Sequence, residues 1–120
     1  MRTRRLGLHG PDVSALGLGC LSFGGIFGAT TEAASLRTLD AAWEAGITFL
    51  DTANIYGKGV SESVIGQWLR TRKHRPNIAT KAAFTDDPAR RIDNRPEHLR
   101  AELDGSLKRL GVDQVTLFYA

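Results

Sequence analysis

Short, wholly apolar runs alternate along this chain with longer stretches in which apolar residues return every three or four positions. The alternation predicts strands separated by helices. The first 20 residues read as a small hairpin, with extended runs Thr3 to Leu8 and Val13 to Leu18 joined by the turn signal His9-Gly10-Pro11-Asp12. A Gly-rich loop, Ser22-Phe23-Gly24-Gly25, follows Leu16-Gly17-Leu18-Gly19-Cys20. A helix is predicted from about Glu32 to Ala45, with Leu36, Leu39 and Trp43 on one face, Thr31 as its cap and Gly46 as its stop. Ile47 to Leu50 is a continuous apolar run, the pattern of a strand buried on both faces. A second helix, capped by Ser61, places Val64, Ile65, Trp68 and Leu69 together and ends in Arg70-Thr71-Arg72-Lys73, cations suited to a helix C-terminus. Asn77 to Lys81 is the next strand. Pro96 stands in the first turn of a third helix striped with Leu99, Leu103, Leu107 and Leu110, with an Asp104–Lys108 pair expected at i,i+4 and Gly111 at its end. Gln114 to Tyr119 is the last strand.

A hairpin followed by β-α-β-α-β-α-β predicts an α/β fold with a parallel sheet covered by helices. If the sheet curls, right-handed crossovers place every helix on its outside, as in a barrel. Residues 1–120 form one partial domain, with no low-complexity segment and no linker.

Composition narrows the picture only modestly. The hydrophobic fraction of 42% and charged fraction of 24% are those of an ordinary globular domain, and the net charge is +3. The clusters Arg2, Arg4, Arg5 and Arg90, Arg91 lack the interleaved aromatics of a nucleic-acid surface and read as solvated cations. One cysteine, Cys20, makes no internal disulfide and suits a reducing compartment. It and His9, His74 and His98 have no metal-ligand spacing. No apolar segment approaches the roughly 20 residues of a membrane span, and no signal peptide is apparent. The expectation is a cytoplasmic protein without membrane or nucleic-acid partners.

Three reactive side chains stand at or just beyond strand ends: Asp51, Tyr56 and Lys81. In parallel α/β folds this is where chemistry collects. A tyrosine hydroxyl, with a reference pKa of about 10, is a sluggish acid near neutrality, and a neighbouring ammonium favours its phenolate. A carboxylate beside the ammonium keeps that cation charged and fixed. Asp51 alone reads as a turn residue and Tyr56 alone as a rim aromatic. Lys81 at the end of an apolar strand is harder to place, because an unpaired buried ammonium is costly. The three together point to a general acid aimed at a carbonyl oxygen. Cys20 reads as a packing residue, Trp43 and Trp68 as core, and Gly57-Lys58-Gly59 lacks the rest of a phosphate loop.

The segments Leu16-Gly17-Leu18-Gly19-Cys20, Phe49-Leu50-Asp51-Thr52-Ala53-Asn54-Ile55-Tyr56-Gly57, Ser61-Glu62 and Ala79-Thr80-Lys81 resemble the aldo-keto reductase family over essentially the whole chain. The resemblance implies a TIM-type (β/α)8 barrel that reduces aldehydes and ketones with NADPH. It implies Tyr56 as proton donor, Lys81 as the group that lowers its pKa, and Asp51 as the partner of Lys81 that approaches the nicotinamide ribose. Gly19, Cys20 and Leu21 match the loop against the nicotinamide end of the cofactor, with Cys20 where a Thr often stands. Thr116 occupies a position usually held by an acid. By the family pattern a fourth catalytic residue, a His, would follow Ala120. None of the three His present falls there. A barrel of about 250 residues makes this chain its N-terminal half. The expectation is a reductase half with little activity alone. The alternatives are an assembly module pairing with a second copy or a C-terminal half through its open sheet edges, and a truncated product without function.

Overall fold

The computed structural model describes all 120 residues. Strands β1 (Thr3–Arg5) and β2 (Asp12–Ser14) pair antiparallel, with Thr3 opposite Ser14. Both are shorter than the extended runs predicted from the sequence. From its place in the ladder Ser14 also bonds the approach to the main sheet: its Oγ accepts from Thr48 N–H (2.8 Å) and its N–H donates to Thr48 Oγ1 (3.2 Å).

The main sheet holds β3 (Leu18–Gly19), β4 (Phe49–Asp51), β5 (Asn77–Lys81) and β6 (Leu117–Tyr119), all parallel and adjacent in chain order. Helices α1 (Glu32–Glu44), α2 (Val60–Arg72) and α3 (Pro96–Leu110) form the crossovers. This is a partial (β/α) barrel, as the sequence predicts. β6 begins later than expected. Just before it, Thr116 N–H donates to the Ile78 carbonyl (2.8 Å), and its side chain accepts from Ile78 N–H (3.3 Å) and donates to Asn77 Oδ1 (3.1 Å).

One face of the sheet packs the helices. Cys20, Leu50 and Ile78 join Leu39, Val64, Ile65, Trp68, Leu69 and Leu110 in a single apolar cluster. Trp68 is fully buried, edge-on to Trp43 at 5.9 Å, and its Nε1 donates to Asp40 (2.8 Å), whose carboxylate also takes a bidentate grip from Arg72. Strand alternation turns the next residues to the other face, where the register aligns Gly19, Asp51, Ala79 and Leu117, with Lys81 beside Tyr119.

Helix ends follow their chemistry, with one exception. Thr31 Oγ1 accepts from Ala34 N–H (3.1 Å), Pro96 sits in the first turn of α3, and Gly111 closes it at φ 68°. Ser61 does not cap α2. The helix starts two residues earlier, from Gly59 at φ 93°, and the Ser61 hydroxyl is drawn inward to Cys20. On α3 the expected Asp104–Lys108 pair is absent, and the helix instead sends Arg109 to Glu62 on α2. Leu110 is buried, while Leu99, Leu103 and Leu107 are half-covered on its open flank.

Candidate active site

Parallel register brings Asp51 and Lys81 together. Gly19, Asp51 and Ala79 lie abreast, and Lys81 is two residues beyond Ala79 on the same face. The Lys81 ammonium donates to Asp51 Oδ1 at 2.5 Å and to the Thr52 carbonyl at 3.1 Å. Tyr56 arrives from the loop between β4 and α2, and the ammonium stands 5.3 Å from its ring centroid. The ring of Tyr119 approaches the same ammonium from β6 at 5.5 Å. The three sequence-predicted residues therefore share one site.

Burial alone would push the Lys81 ammonium down. The hydrogen bond and charge of Asp51, with a smaller contribution from Tyr56, outweigh it and hold Lys81 above the ordinary lysine value. The pair is a fixed cation placed beside a phenol.

The Tyr56 loop is pinned at both ends. Tyr56 N–H donates to the Ala53 carbonyl and Ser61 N–H to the Tyr56 carbonyl, each at 3.2 Å. Gly24, in the short helical turn Leu21–Gly24, meets this loop backbone to backbone: a Cβ there would lie 2.4 Å from Gly57 N. Beneath, the Ser61 hydroxyl donates to the Cys20 carbonyl (2.9 Å) and lies 2.9 Å from Thr52 Oγ1. The carboxylate of Glu62 is fully buried, accepting from Thr80 Oγ1 and Arg109 Nε at 2.6 Å each. These bonds fasten β3, β4 and β5 to α2 and α3 directly under the reactive groups.

Cys20 offers no surface to a bound molecule. Its side chain is in the core, its N–H donates to the Asp51 carbonyl (2.8 Å), and its own carbonyl is taken by Ser61. Burial, reinforced by the charge of Asp51 and opposed by that of Lys81, pushes its thiol up to about 12. Of the predicted loop, Gly19 is exposed and Leu21 half-buried. A Cβ on Gly19 would meet nothing within 4 Å, so open space lies beside Asp51. Gly19 and Asp51 are therefore open to a bound molecule; the side chain of Cys20 is not.

Ile55, Tyr56, Lys81, Phe84 and Tyr119 line a mainly apolar pocket of about 190 Å³. A larger hollow of about 840 Å³ opens at the opposite ends of the strands, around Arg70, Lys73 and Arg75, and contains none of the three reactive groups. Tyr56 and Lys81 both line the smaller one. Sequence reasoning missed Tyr119, Thr80, Arg109, Asn54 and Glu102 as parts of this assembly. The available signal was polar spacing on α3, where Glu102, Ser106 and Arg109 recur at i, i+4 and i+7.

Parallel strands with helical crossovers, with Asp51, Tyr56 and Lys81 gathered at their C-terminal ends, define a partial (β/α) barrel with its candidate site at that end. Residues 15–120 match the aldo/keto reductase family, and the chain belongs to that family, whose members are oxidoreductases. The chain is 35% identical to the aldo-keto reductase yakc [NADP(+)] of Schizosaccharomyces pombe, over 98% of this chain and 35% of that protein. It is 34% identical to the probable aldo-keto reductase 1 of Glycine max, over 96% of this chain and 34% of the relative. Aldo-keto reductase AKR11C1 from Bacillus halodurans, in its holo form, superposes with a TM-score of 0.85 at 31% identity, covering 98% of this chain and 39% of that one. The chain spans little more than a third of the length of these relatives.

Proposed function

We propose that the chain carries the proton-donating part of an NADPH-dependent carbonyl reductase. Tyr56 gives its hydroxyl proton to the oxygen of a small aldehyde or ketone. Lys81 stands over the Tyr56 ring as a permanent cation that favours the developing phenolate, and Asp51 holds Lys81 in place. The apolar pocket between Tyr56, Phe84 and Tyr119 receives the carbon side of the substrate. NADPH supplies the hydride when bound, with Gly19 and Asp51 at its nicotinamide end. The observation that carries this reading is the 2.5 Å Lys81–Asp51 pair with the Tyr56 ring 5.3 Å from the same ammonium. The unpaired Cys20 accords with a reducing, cytoplasmic setting.

The test is NADPH oxidation over a panel of aldehydes, for the chain alone and mixed with the C-terminal two-thirds of a relative. Activity near background is expected for the chain alone, rising on mixing and abolished by Tyr56→Phe. Aldehyde-dependent oxidation untouched by Tyr56→Phe would refute the reading.

A second reading is favoured by the sheet edges. β3 and β6 each lack a neighbour on one side, and Leu18, Gly19, Leu117, Phe118 and Tyr119 carry no charge to discourage pairing. These edges and the half-covered inner face suit a second polypeptide, either another copy or a separate C-terminal half. Sedimentation that returns a monomer at every concentration, with no binding of the added half, disposes of it.

A further inference from the structure

α3 presents two stripes. The leucines face the sheet and an open flank, and Glu102, Ser106 and Arg109 form a polar line beside them. Arg109 reaches Glu62, as described. Glu102 reaches further, to the loop that bears the proton donor: its Oε2 accepts from Asn54 Nδ2 at 2.6 Å. Asn54 is unusually connected. Its backbone N–H donates to the Lys81 carbonyl at 3.2 Å, and it lies between Asp51 and Tyr56 in the chain. One residue thus links α3, the end of β5 and the Tyr56 loop. At the outer part of this loop the Lys58–Asp86 pair is 3.4 Å long with both side chains about four-fifths exposed, and exposed pairs of this kind hold little.

We propose that Glu102 is a positioning residue, which fixes the Tyr56 loop against Lys81 through the amide of Asn54. This rests on the reading of Tyr56 as proton donor, but the tie is testable without turnover. A carboxylate accepting from an amide is a strong, directional bond. Asn54 is half-buried, so its loss is not made good freely by water. Held this way, the loop keeps the Tyr56 ring at a constant approach to the ammonium.

The experiment is amide hydrogen exchange and NMR of the Tyr56 ring in the whole chain, for Asn54→Asp, Glu102→Leu and the double variant Asn54→Asp/Glu102→Gln. The first sets two carboxylates against each other, the second removes the acceptor, and the third restores the bond with donor and acceptor exchanged. Both single variants are expected to speed exchange at positions 54 and 61 at least tenfold and to shift the Tyr56 ring resonances. Exchange at Leu50 and Ile65 rises by less than at positions 54 and 61, and the double variant recovers both signals. Unchanged exchange at 54 and 61, an unmoved Tyr56 ring, loss of protection spread evenly over the core, or failure of the double variant to recover would each overturn the proposal. If Glu102→Leu fails to fold, Asn54→Asp and its rescue decide alone. Failure of the reductase reading shows separately, as turnover indifferent to Tyr56→Phe.

Discussion

Removing the guanidinium of Arg109 is expected to destabilise the chain more than neutralising the carboxylate it serves. Glu62 is fully buried, whereas 31% of the Arg109 side chain is exposed. Arg109→Met keeps most of the packed stem but leaves the Glu62 carboxylate with the Thr80 hydroxyl as its only partner. Breaking a buried pair this way costs about 3–5 kcal/mol. Partial access of water at Arg109 points to the lower end, about 3 kcal/mol. Glu62→Gln retains an acceptor for Thr80 and strands only a cation that water can reach, for about 1–2 kcal/mol, near the cost of one hydrogen bond. The double variant strands neither group, so its loss falls below the sum of the singles by about 2 kcal/mol. Urea unfolding followed by tryptophan fluorescence measures all three. With a slope of roughly 1–3 kcal/mol per molar urea, Arg109→Met moves the midpoint down by about 1–3 M. Equal shifts for the two single variants, or additive losses in the double, would refute the reasoning.

Gly66→Ala sets helix propensity against packing: alanine gains about 1 kcal/mol in a helix interior, but a Cβ at Gly66 would lie 2.2 Å from the Arg109 carbonyl oxygen, where α2 and α3 touch. A lower melting temperature is expected, and a raised one would show that the helices part freely. Cys20, with its thiol pushed up to about 12, holds only roughly one thiolate in ten thousand at pH 8. Its alkylation should track unfolding, and fast labelling of the native chain would contradict its burial. The Arg95 guanidinium, through hydrogen bonds that outweigh burial, holds the Asp93 carboxyl well below the usual range. A folded-state pKa below the unfolded one means stabilisation that is complete above the ordinary aspartate value and lost as pH falls through the lowered one. Asp93→Asn should therefore lower the urea midpoint at pH 7 and matter progressively less in acid; a constant difference down to about pH 2 would count against it.

The elements and the reactive cluster were legible for a common reason. Ile47 to Leu50 and the shorter Ile78-Ala79 are apolar stretches followed by polar residues, a pattern that marks a buried strand and its functional end. Asp51, Lys81 and Tyr56 follow from those ends. Strand boundaries were less legible, because the strand ends near Ser14 and Thr116 are finished by side-chain bonds to partners 34 and 38 residues away. The Ser61 cap failed likewise: a hydroxyl suits a helix start, but the Cys20 carbonyl, 41 residues back, competes for it and wins. Glu62, Arg109, Glu102 and Asn54 become meaningful only when α2 and α3 are seen side by side. Local spacing carries the scaffold, and the long-range polar bonds that tune the site emerge from the packing.

The order of strands across the sheet, β3-β4-β5-β6, is also the order in which a ribosome makes them. Each new strand docks beside the one just completed. Loop closure then costs little at each step, because successive strands are separated by only a single helix and its turns. Such a chain can acquire its architecture vectorially during translation, with Asp51 already seated when Lys81 emerges to meet it.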